Sequence, residues 1–237
     1  MATIVFENGE PRTEPVMLRS DVVIPPGIET LADFRAWALS DNFPQRGRID
    51  YIQGCIEVDM SPEDFFMHGT PKTEIIAVLA YRNRQLKLGY LLSDQTRISN
   101  ASADLSAEPD VIFFSKETLQ LGRARLVPKV TEEDDRYVEV EGMADLVVEI
   151  VSDSSENKDR RRLPREYFTA GVREFWLIDV RRPDIQFQIH SRGDKNFEPM
   201  AVDADGFQTS AVMGCRFRFE RTRDESNYPQ YTLIESP

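Results

Sequence analysis

The sequence feature that most constrains the fold is an apolar run that contains one carboxylate. Residues 146–151 have the length and the β-branched content of a buried strand, and Glu149 lies inside them. Burying an unpaired carboxylate costs several kcal/mol, so such a side chain normally has a cation, a metal ion or a proton beside it. A polar turn, Ser152–Ser155, follows at once, and open α/β sheets place their sites at such strand ends. The stretch predicts a central strand with a functional acid; alternatively, Glu149 points from a sheet edge into water.

Composition limits the classes of protein that the chain can belong to. The 237 residues are 41% hydrophobic and 30% charged, which indicates a soluble globular protein. The formal charge of −12 argues against a general nucleic-acid coat protein, although a local basic patch is compatible with it. Cys55 and Cys215 match no metal-binding spacing. With no secretory signal and no apolar run of the ~20 residues that span a bilayer, we expect a cytoplasmic protein without membrane contact.

Periodicity and turn residues indicate the order of the elements. In chain order, they predict an extended arm (1–27), a helix from Thr30, a hairpin or bulged strand pair (49–60), a helix (70–88), strand material (90–99), a short strand (110–114), a charged loop with a short strand at 137–140 (116–142), a helix ended by Gly171 (157–170) and paired strands (173–179 and 185–191). No repeat or convincing linker interrupts this order. We expect a single domain, 1–237, with an arm and helix in 1–47, a core in 48–190 and C-terminal hairpins in 191–237.

Three acids lie inside or beside apolar strand sequence: Glu57, Asp110 and Glu149. Each has a simpler explanation when taken singly, because Glu57 suits a solvent-facing strand position and Asp110, after Pro109, suits a turn cap. Together they suit a hard cation, since Mg²⁺ is held by one or two carboxylates, waters and phosphate oxygens.

Four sequence segments carry a family resemblance. They are Glu108-Pro-Asp-Val-Ile-Phe113, Asp145-Leu-Val-Val-Glu-Ile-Val-Ser-Asp-Ser-Ser155, Lys158-Asp-Arg-Arg-Arg-Leu-Pro-Arg-Glu-Tyr167 and Gly171-Val-Arg-Glu-Phe-Trp-Leu-Ile-Asp179. In this order and at these spacings the chain resembles the Uma-two family of restriction-endonuclease-like proteins, a branch of the PD-(D/E)XK nuclease superfamily. The resemblance runs from about Arg48 to His190. It implies an α/β, restriction endonuclease-like αβββαβ core, a mixed sheet flanked by helices, with extra N- and C-terminal strands.

The resemblance also implies a set of site residues. Asp110 corresponds to the aspartate of the "PD" motif and Glu149 to the acid of "(D/E)XK", and both would hold Mg²⁺ or Mn²⁺ with the backbone carbonyl of Ile150. Glu57 falls where the family often has a further site residue, with Asp59 as its rival within the uncertainty of the register. His68 falls at another such position, although a plain helix-entry residue would also fit there.

The sequence departs from the family at the lysine. The superfamily position two residues after Glu149 is Val151, and the position on the following helix that often carries a lysine in this family is Leu163. Lys158 and Arg162 are candidates to supply the missing positive charge, as are Arg160, Arg161 and Arg165. The simpler interpretation of this basic run is a solvated helix face. An arginine stabilises negative charge but stays protonated, so it is a poor general base.

Three functions follow as hypotheses. The first is a metal-dependent endonuclease that hydrolyses DNA phosphodiester bonds, and the family resemblance implies a homodimer. The second is a catalytically impaired nuclease fold that binds a nucleic acid or a protein partner. The third is an unrelated hydrolase with Ser152, Ser154 or Ser155 as nucleophile and His68 or His190 as base.

Overall fold

The computed structural model describes residues 4–7, 15–19, 22–130 and 134–237. Its α-helices are α1 (Leu31–Ala38), α2 (Thr70–Leu86), α3 (Lys116–Gln120) and α4 (Leu163–Thr169). Its first nine strands are β1 (Ile4–Glu7), β2 (Val16–Arg19), β3 (Val22–Ile24), β4 (Arg48–Ile52), β5 (Cys55–Asp59), β6 (Gly89–Ser93), β7 (Arg97–Asn100), β8 (Leu105–Ala107) and β9 (Val111–Ser115). The remaining strands are β10 (Ala124–Pro128), β11 (Tyr137–Gly142), β12 (Leu146–Ile150), β13 (Glu174–Asp179), β14 (Gln186–Arg192), β15 (Phe197–Pro199), β16 (Gln208–Ser210), β17 (Cys215–Arg223) and β18 (Pro229–Ser236).

Two large mixed sheets form the body of the fold. One has the order β1-β5-β4-β8-β7-β11-β10, and the other has the order β15-β14-β13-β12-β9-β6. The strands β16, β17 and β18 form a separate antiparallel sheet, and β2 pairs with β3. The predicted αβββαβ order is present as α2, β6, β9, β12, α4 and β13. Strand β9 is antiparallel to both β6 and β12, and β12 is parallel to β13. The predicted restriction endonuclease-like fold class is therefore confirmed.

The central strand β12 is buried along its whole length, as its apolar sequence predicts. Because side chains alternate across a strand, Val147, Glu149 and Val151 share one face while Leu146, Val148 and Ile150 share the other. The first face packs against α4 and residues of the seven-stranded sheet. The second face packs against α2 and the C-terminal three-stranded sheet. Glu149 consequently points into the layer between the two large sheets.

Most predicted elements occur close to their expected bounds. Helix α1 begins after Thr30, whose side chain accepts from the Asp33 backbone N–H at 3.2 Å in the predicted capping box. The helices that begin at Thr70 and Leu163 are each preceded by a π-helical turn, Phe65–Gly69 and Lys158–Arg162. Part of the predicted extended arm lies outside the described residues, and the rest of it contributes β1, β2 and β3.

The prediction of a loop between residues 116 and 142 is wrong in two places. Helix α3 forms because Ser115 caps it, its hydroxyl accepting from the Thr118 backbone N–H at 3.1 Å. Strand β10 forms by pairing with β11, which extends over residues 137–142. Neither element has a clear apolar period of its own, so pairing and capping decide their structure.

We expect Gly142→Ala to destabilise the fold strongly. Gly142 has φ of +119°, and an added Cβ would lie 2.3 Å from the Arg123 carbonyl oxygen. Backbone strain alone costs about 1–3 kcal/mol, and the clash adds to it. Gly122→Ala is the matched control, because Gly122 has φ of +66° and an added Cβ there would have no neighbouring atom within 4 Å. Urea unfolding of both variants should show the larger loss for Gly142→Ala; equal losses would show that the close approach is absent.

Candidate active site

Asp110 and Glu149 lie side by side on neighbouring strands. The antiparallel register pairs Val111 with Val148, so the next position on each strand places Asp110 opposite Glu149. Both side chains are buried, with exposed fractions of 0% and 1%. The alternative in which Glu149 points into water is therefore wrong.

Both carboxylate oxygens of Asp110 have partners. Oδ1 accepts from Arg48 Nη2 at 2.6 Å, and Oδ2 accepts from the Ile150 backbone N–H at 2.8 Å. His68 Nε2 lies 3.3 Å from Oδ2. Burial raises the pKa of Asp110, but the Arg48 guanidinium and His68 outweigh burial and hold the pKa well below its usual range. Asp110 is an ionised acid that links three elements, and the alternative of a local turn cap is wrong.

Glu149 has a pKa that is shifted in the direction opposite to that of Asp110. Its Oε1 accepts from the Tyr167 hydroxyl at 2.5 Å, while its buried Oε2 has no hydrogen-bond partner among the described residues. Burial, followed by the negative charges of Asp110 and Asp159, raises the pKa of Glu149 well above its usual value. The buried, unpartnered oxygen is an acceptor position that a cation or a proton would satisfy.

The hairpin of β4 and β5 presents four charged side chains to this site. Arg48 pairs with Asp59 and Asp50 pairs with Glu57 in the β-ladder, so all four side chains share one face. Their partners all lie outside the hairpin. Arg48 contacts Asp110, Asp50 contacts Lys158, Glu57 contacts Arg162 and Asp59 contacts Ser154. Glu57 is buried, with an exposed fraction of 3%, so its solvent-facing alternative is wrong.

The basic run 158–165 is divided between the interior and the surface. Lys158 is buried, and its Nζ donates to Asp50 Oδ2 at 2.8 Å. Burial lowers the pKa of Lys158, but the Asp50 carboxylate outweighs burial and the net change is upward. Arg161 and Arg165 are exposed. The interpretation as a solvated face therefore fits the two arginines and is wrong for Lys158.

The next residue, Asp159, is a further buried acid of the site. Its Oδ2 accepts from the Ser155 hydroxyl, and its Oδ1 has no hydrogen-bond partner among the described residues. Burial raises the pKa of Asp159 to about 6, although Lys158 and Ser155 act in the opposite direction.

The two positions at which the resemblance implies a lysine belong to the hydrophobic core. Val151 and Leu163 have exposed fractions of 0% and 1% and join one apolar cluster with Tyr167. Lys158 lies in the same sequence segment as Leu163, and its side chain is buried at a different backbone position. Burial and Arg48 act to lower its pKa, while Asp50, and after it Asp159 and Glu149, act to raise it, so Lys158 lies within electrostatic range of the acids of the site.

His68 lies in a chain of polar contacts that leads outward from Asp110. Its Nδ1 is 2.7 Å from Glu63 Oε1, and Glu63 also contacts Lys72. Lys72 in turn donates to Asp94 at 2.9 Å. His68 therefore combines the two expectations for it: it bonds to a residue of the preceding turn and it touches Asp110.

The serine-nucleophile hypothesis has no geometric support in the described chain. Ser152 and Ser155 hydrogen-bond to each other, and Ser154 donates to Asp59 Oδ2 at 2.6 Å. His68 bonds instead to acids, and His190 Nδ1 lies 3.3 Å from the Phe175 carbonyl oxygen.

The residues present fit a hard divalent cation. Mg²⁺ requires only one or two protein carboxylates, and the two-carboxylate set of Asp110 and Glu149 meets that requirement. Within the described residues, no three His, Cys, Asp or Glu side chains form a metal-binding group. The unpartnered Oε2 of Glu149 is the observation that favours a cation, and Arg48 compensates the charge of Asp110.

Three residues of this site were not found by sequence reasoning: Arg48, Asp50 and Tyr167. The alternation Arg48-Ile-Asp50 opposite Glu57-Val-Asp59 was the available signal for a charged hairpin face. Tyr167 gives no such signal, because a tyrosine in an amphipathic helix usually packs in the core.

None of the curated proteins compared with this chain matches it. A solved structure from Anabaena variabilis ATCC 29413, described as a "putative nuclease belonging to DUF820", superposes with a TM-score of 0.55 at 17% identity. The match covers 78% of this chain and 90% of that one, and it shows a common fold. In the described residues no helix is long and apolar enough to cross a membrane.

The sequence profile of the Uma2 family, described as "Putative restriction endonuclease", matches residues 31–220. The matched range contains every side chain that the sequence predicted for the site, together with the hairpin residues Arg48 and Asp50. The chain therefore belongs to the Uma2 family.

Proposed function

We propose that this protein is a Mg²⁺- or Mn²⁺-dependent endonuclease that hydrolyses phosphodiester bonds in DNA. The observation that carries the proposal is the pair of buried carboxylates, Asp110 and Glu149, with one unpartnered oxygen and a buried lysine in the same charge network. Family membership supports the reaction class. Self-association as a homodimer stays a prediction from the family resemblance.

Each residue of the site has a separate role in this proposal. Asp110 and Glu149, with the carbonyl of Ile150, would hold the ion. When bound, the ion supplies Lewis-acid polarisation of a phosphodiester oxygen and lowers the pKa of a bound water. Tyr167 fixes the orientation of Glu149 through its hydroxyl, and His68 supports Asp110.

Arg48 compensates the charge of Asp110, and we assign the cation that would face the phosphoryl group to Lys158. Its ammonium group is held by Asp50, and the raised pKa keeps it protonated at neutral pH. A cation so placed stabilises the negative charge that develops on the phosphoryl oxygens. Because it is protonated, Lys158 acts as an electrostatic group and not as a general base. Arg162 is engaged with Glu57 at the edge of the same network.

Plasmid nicking tests the proposal. The purified protein should nick supercoiled DNA with Mn²⁺ or Mg²⁺ and stop in EDTA. Asp110→Asn and Glu149→Gln should reduce nicking to background, while Glu225→Gln, an exposed and equivalent change, should retain it. Nicking that is equal in all four proteins would identify a contaminating nuclease and overturn the proposal.

The role of Lys158 has its own matched pair. Lys158→Met is expected to lower the nicking rate by about 10²–10³-fold, as for removal of one preorganised charge-stabilising donor. Arg161→Met removes a cation from the same segment at an exposed position and should leave the rate unchanged. Equal rates for the two variants would show that Lys158 has only a structural role.

A second candidate function is a nuclease fold that binds without cleaving. It is favoured by the apolar residues at both lysine positions and by the Arg48 guanidinium that already neutralises Asp110. Calorimetric titration with Mn²⁺ separates the two functions. Binding that is lost in Glu149→Gln supports the metal centre, and absence of binding to the unaltered protein supports the binding module.

A further inference from the structure

A cavity of about 480 Å³ lies beside the candidate active site, on the other side of helix α4. Its floor includes Leu177, which pairs with Glu149 in the parallel ladder of β12 and β13. Paired residues on adjacent strands point to the same side of a sheet, so this floor continues the face that carries Glu149. The volume is in the range of small-molecule binding sites, about 300–1,000 Å³.

Aromatic rings form the walls of this cavity. Phe168 on α4 and Phe197 on β15 meet edge to face at 5.6 Å between centroids. Phe197 also lies 5.6 Å from Phe175, which in turn lies 5.7 Å from the His190 ring. Phe168 and Phe197 are only partly buried. The Arg192 guanidinium carbon lies 3.9 Å from the centroid of the Phe168 ring and covers one of its faces, so a planar ligand would use the remaining exposed surface of the two rings.

The charged side chains at this cavity are all basic. Arg160, Arg165 and Lys195 line it, and no acid does among the described residues. Arg160 is held by Asp179, but Arg165 and Lys195 are exposed and have no ion-pair partner in the described part of the chain. Two further cavities have acids as well as a basic residue in their linings: Glu63, Glu74 and Asp94 with Lys72 in one, and Asp224 and Glu225 with Arg223 in the other. In a chain of formal charge −12, this cavity is selectively suited to an anion.

We propose that the cavity between α4, β13, β14 and β15 binds one unpaired nucleotide of a nucleic-acid strand. The base would stack against the rings of Phe168 and Phe197, and its phosphates would lie against Arg165 and Lys195. Rings and cations arranged together in a groove are the general means of binding single strands. This inference rests on the proposed function, because it takes an unpaired strand to be the class of substrate that the nuclease cleaves.

Fluorescence anisotropy with a short fluorescein-labelled oligothymidylate, in EDTA, tests the cavity separately from cleavage. The unaltered protein should bind this strand about tenfold more tightly than an abasic strand of equal length, because each stacked base contributes to affinity. Phe168→Leu keeps the apolar volume and should remove that preference. Equal affinity for the abasic strand, or tighter binding of the corresponding duplex, would overturn the proposal.

The cations are tested with a charge-matched control. Arg165→Glu and Lys195→Glu should each weaken binding about tenfold and lower the slope of log K against log salt concentration by about 0.7 or more. Arg161→Glu makes the same change at an exposed residue that does not line the cavity, and it should bind as the unaltered protein does. An equal loss in Arg161→Glu would reduce the effect to general electrostatics and overturn the proposal.

The outcome is distinguishable from that of the nicking assay. If the unaltered protein nicks plasmid DNA but does not prefer the strand with bases to the abasic strand, only the nucleotide site is refuted. Retained base preference without nicking would leave the nucleotide site in place and refute the nuclease.

Discussion

Asp110→Ala is expected to lower the free energy of unfolding of the metal-free protein by about 3 kcal/mol, the lower end of the cost of removing one partner of a buried ion pair, because Asp110 is fully buried but the Arg48 side chain is 22% exposed. The variant leaves Arg48 without the carboxylate that it contacts at 2.6 Å. It also leaves the Ile150 backbone N–H, which donates to Asp110, without its acceptor. Urea unfolding in EDTA measures the loss without interference from metal binding.

A double-mutant cycle identifies the cause of that loss. Arg48→Met combined with Asp110→Ala should recover much of the stability, because replacing both members of a buried pair by apolar groups is often close to neutral. If the double variant is as unstable as the sum of the two single variants, the ion pair does not account for the effect. A loss below about 1 kcal/mol in Asp110→Ala would likewise contradict it.

Glu149→Gln should have the opposite effect in metal-free protein, and the effect should grow with pH. The folded-state pKa of Glu149 is raised, so the folded protein holds a proton that the unfolded chain releases above about pH 4.3. Stability from this group is therefore full below the unfolded pKa and is lost as pH rises toward the folded pKa. Glutamine keeps an acceptor for the Tyr167 hydroxyl and does not ionise.

The stability difference between Glu149→Gln and the unaltered protein should therefore increase by up to about 1.4 kcal/mol per pH unit above pH 4.3. Thermal or urea unfolding at several pH values in EDTA measures it. Glu225→Gln should run parallel to the unaltered protein throughout. A pH-independent difference for Glu149→Gln would show that the carboxyl group is not held protonated by its surroundings.

These two variants show which parts of the site a sequence can reveal. Asp110 and Glu149 could be predicted because acids inside apolar strand sequence are unusual and because their order matches a family. Arg48 and Asp50 could not, since their role depends on which face of a hairpin meets which distant strand. Lys158 could be named as a candidate from its basic segment, but only the packing distinguishes it from the exposed Arg161.

The fold was predicted to a similar degree. Buried strands and capped helices such as β12 and α1 follow from local patterns. Strand β10 and helix α3 do not, because pairing with β11 and a cap from Ser115 stabilise sequences that are locally ambiguous. Tertiary context commonly overrides such weak local preference.

The charged face of the β4–β5 hairpin has a consequence for the order of folding. Its contacts join residues that are far apart in the chain: 108 positions separate Asp50 from Lys158, and 62 separate Arg48 from Asp110. Contacts of such separation form slowly because large loops must close first. The hairpin can form locally, but Arg48, Asp50 and Glu57 meet their charged partners, Asp110, Lys158 and Arg162, only after the segment from Asp110 to Arg162 has been made and docked. These ion pairs are therefore completed late in folding, and a chain made only as far as the hairpin lacks the partners that complete the candidate site.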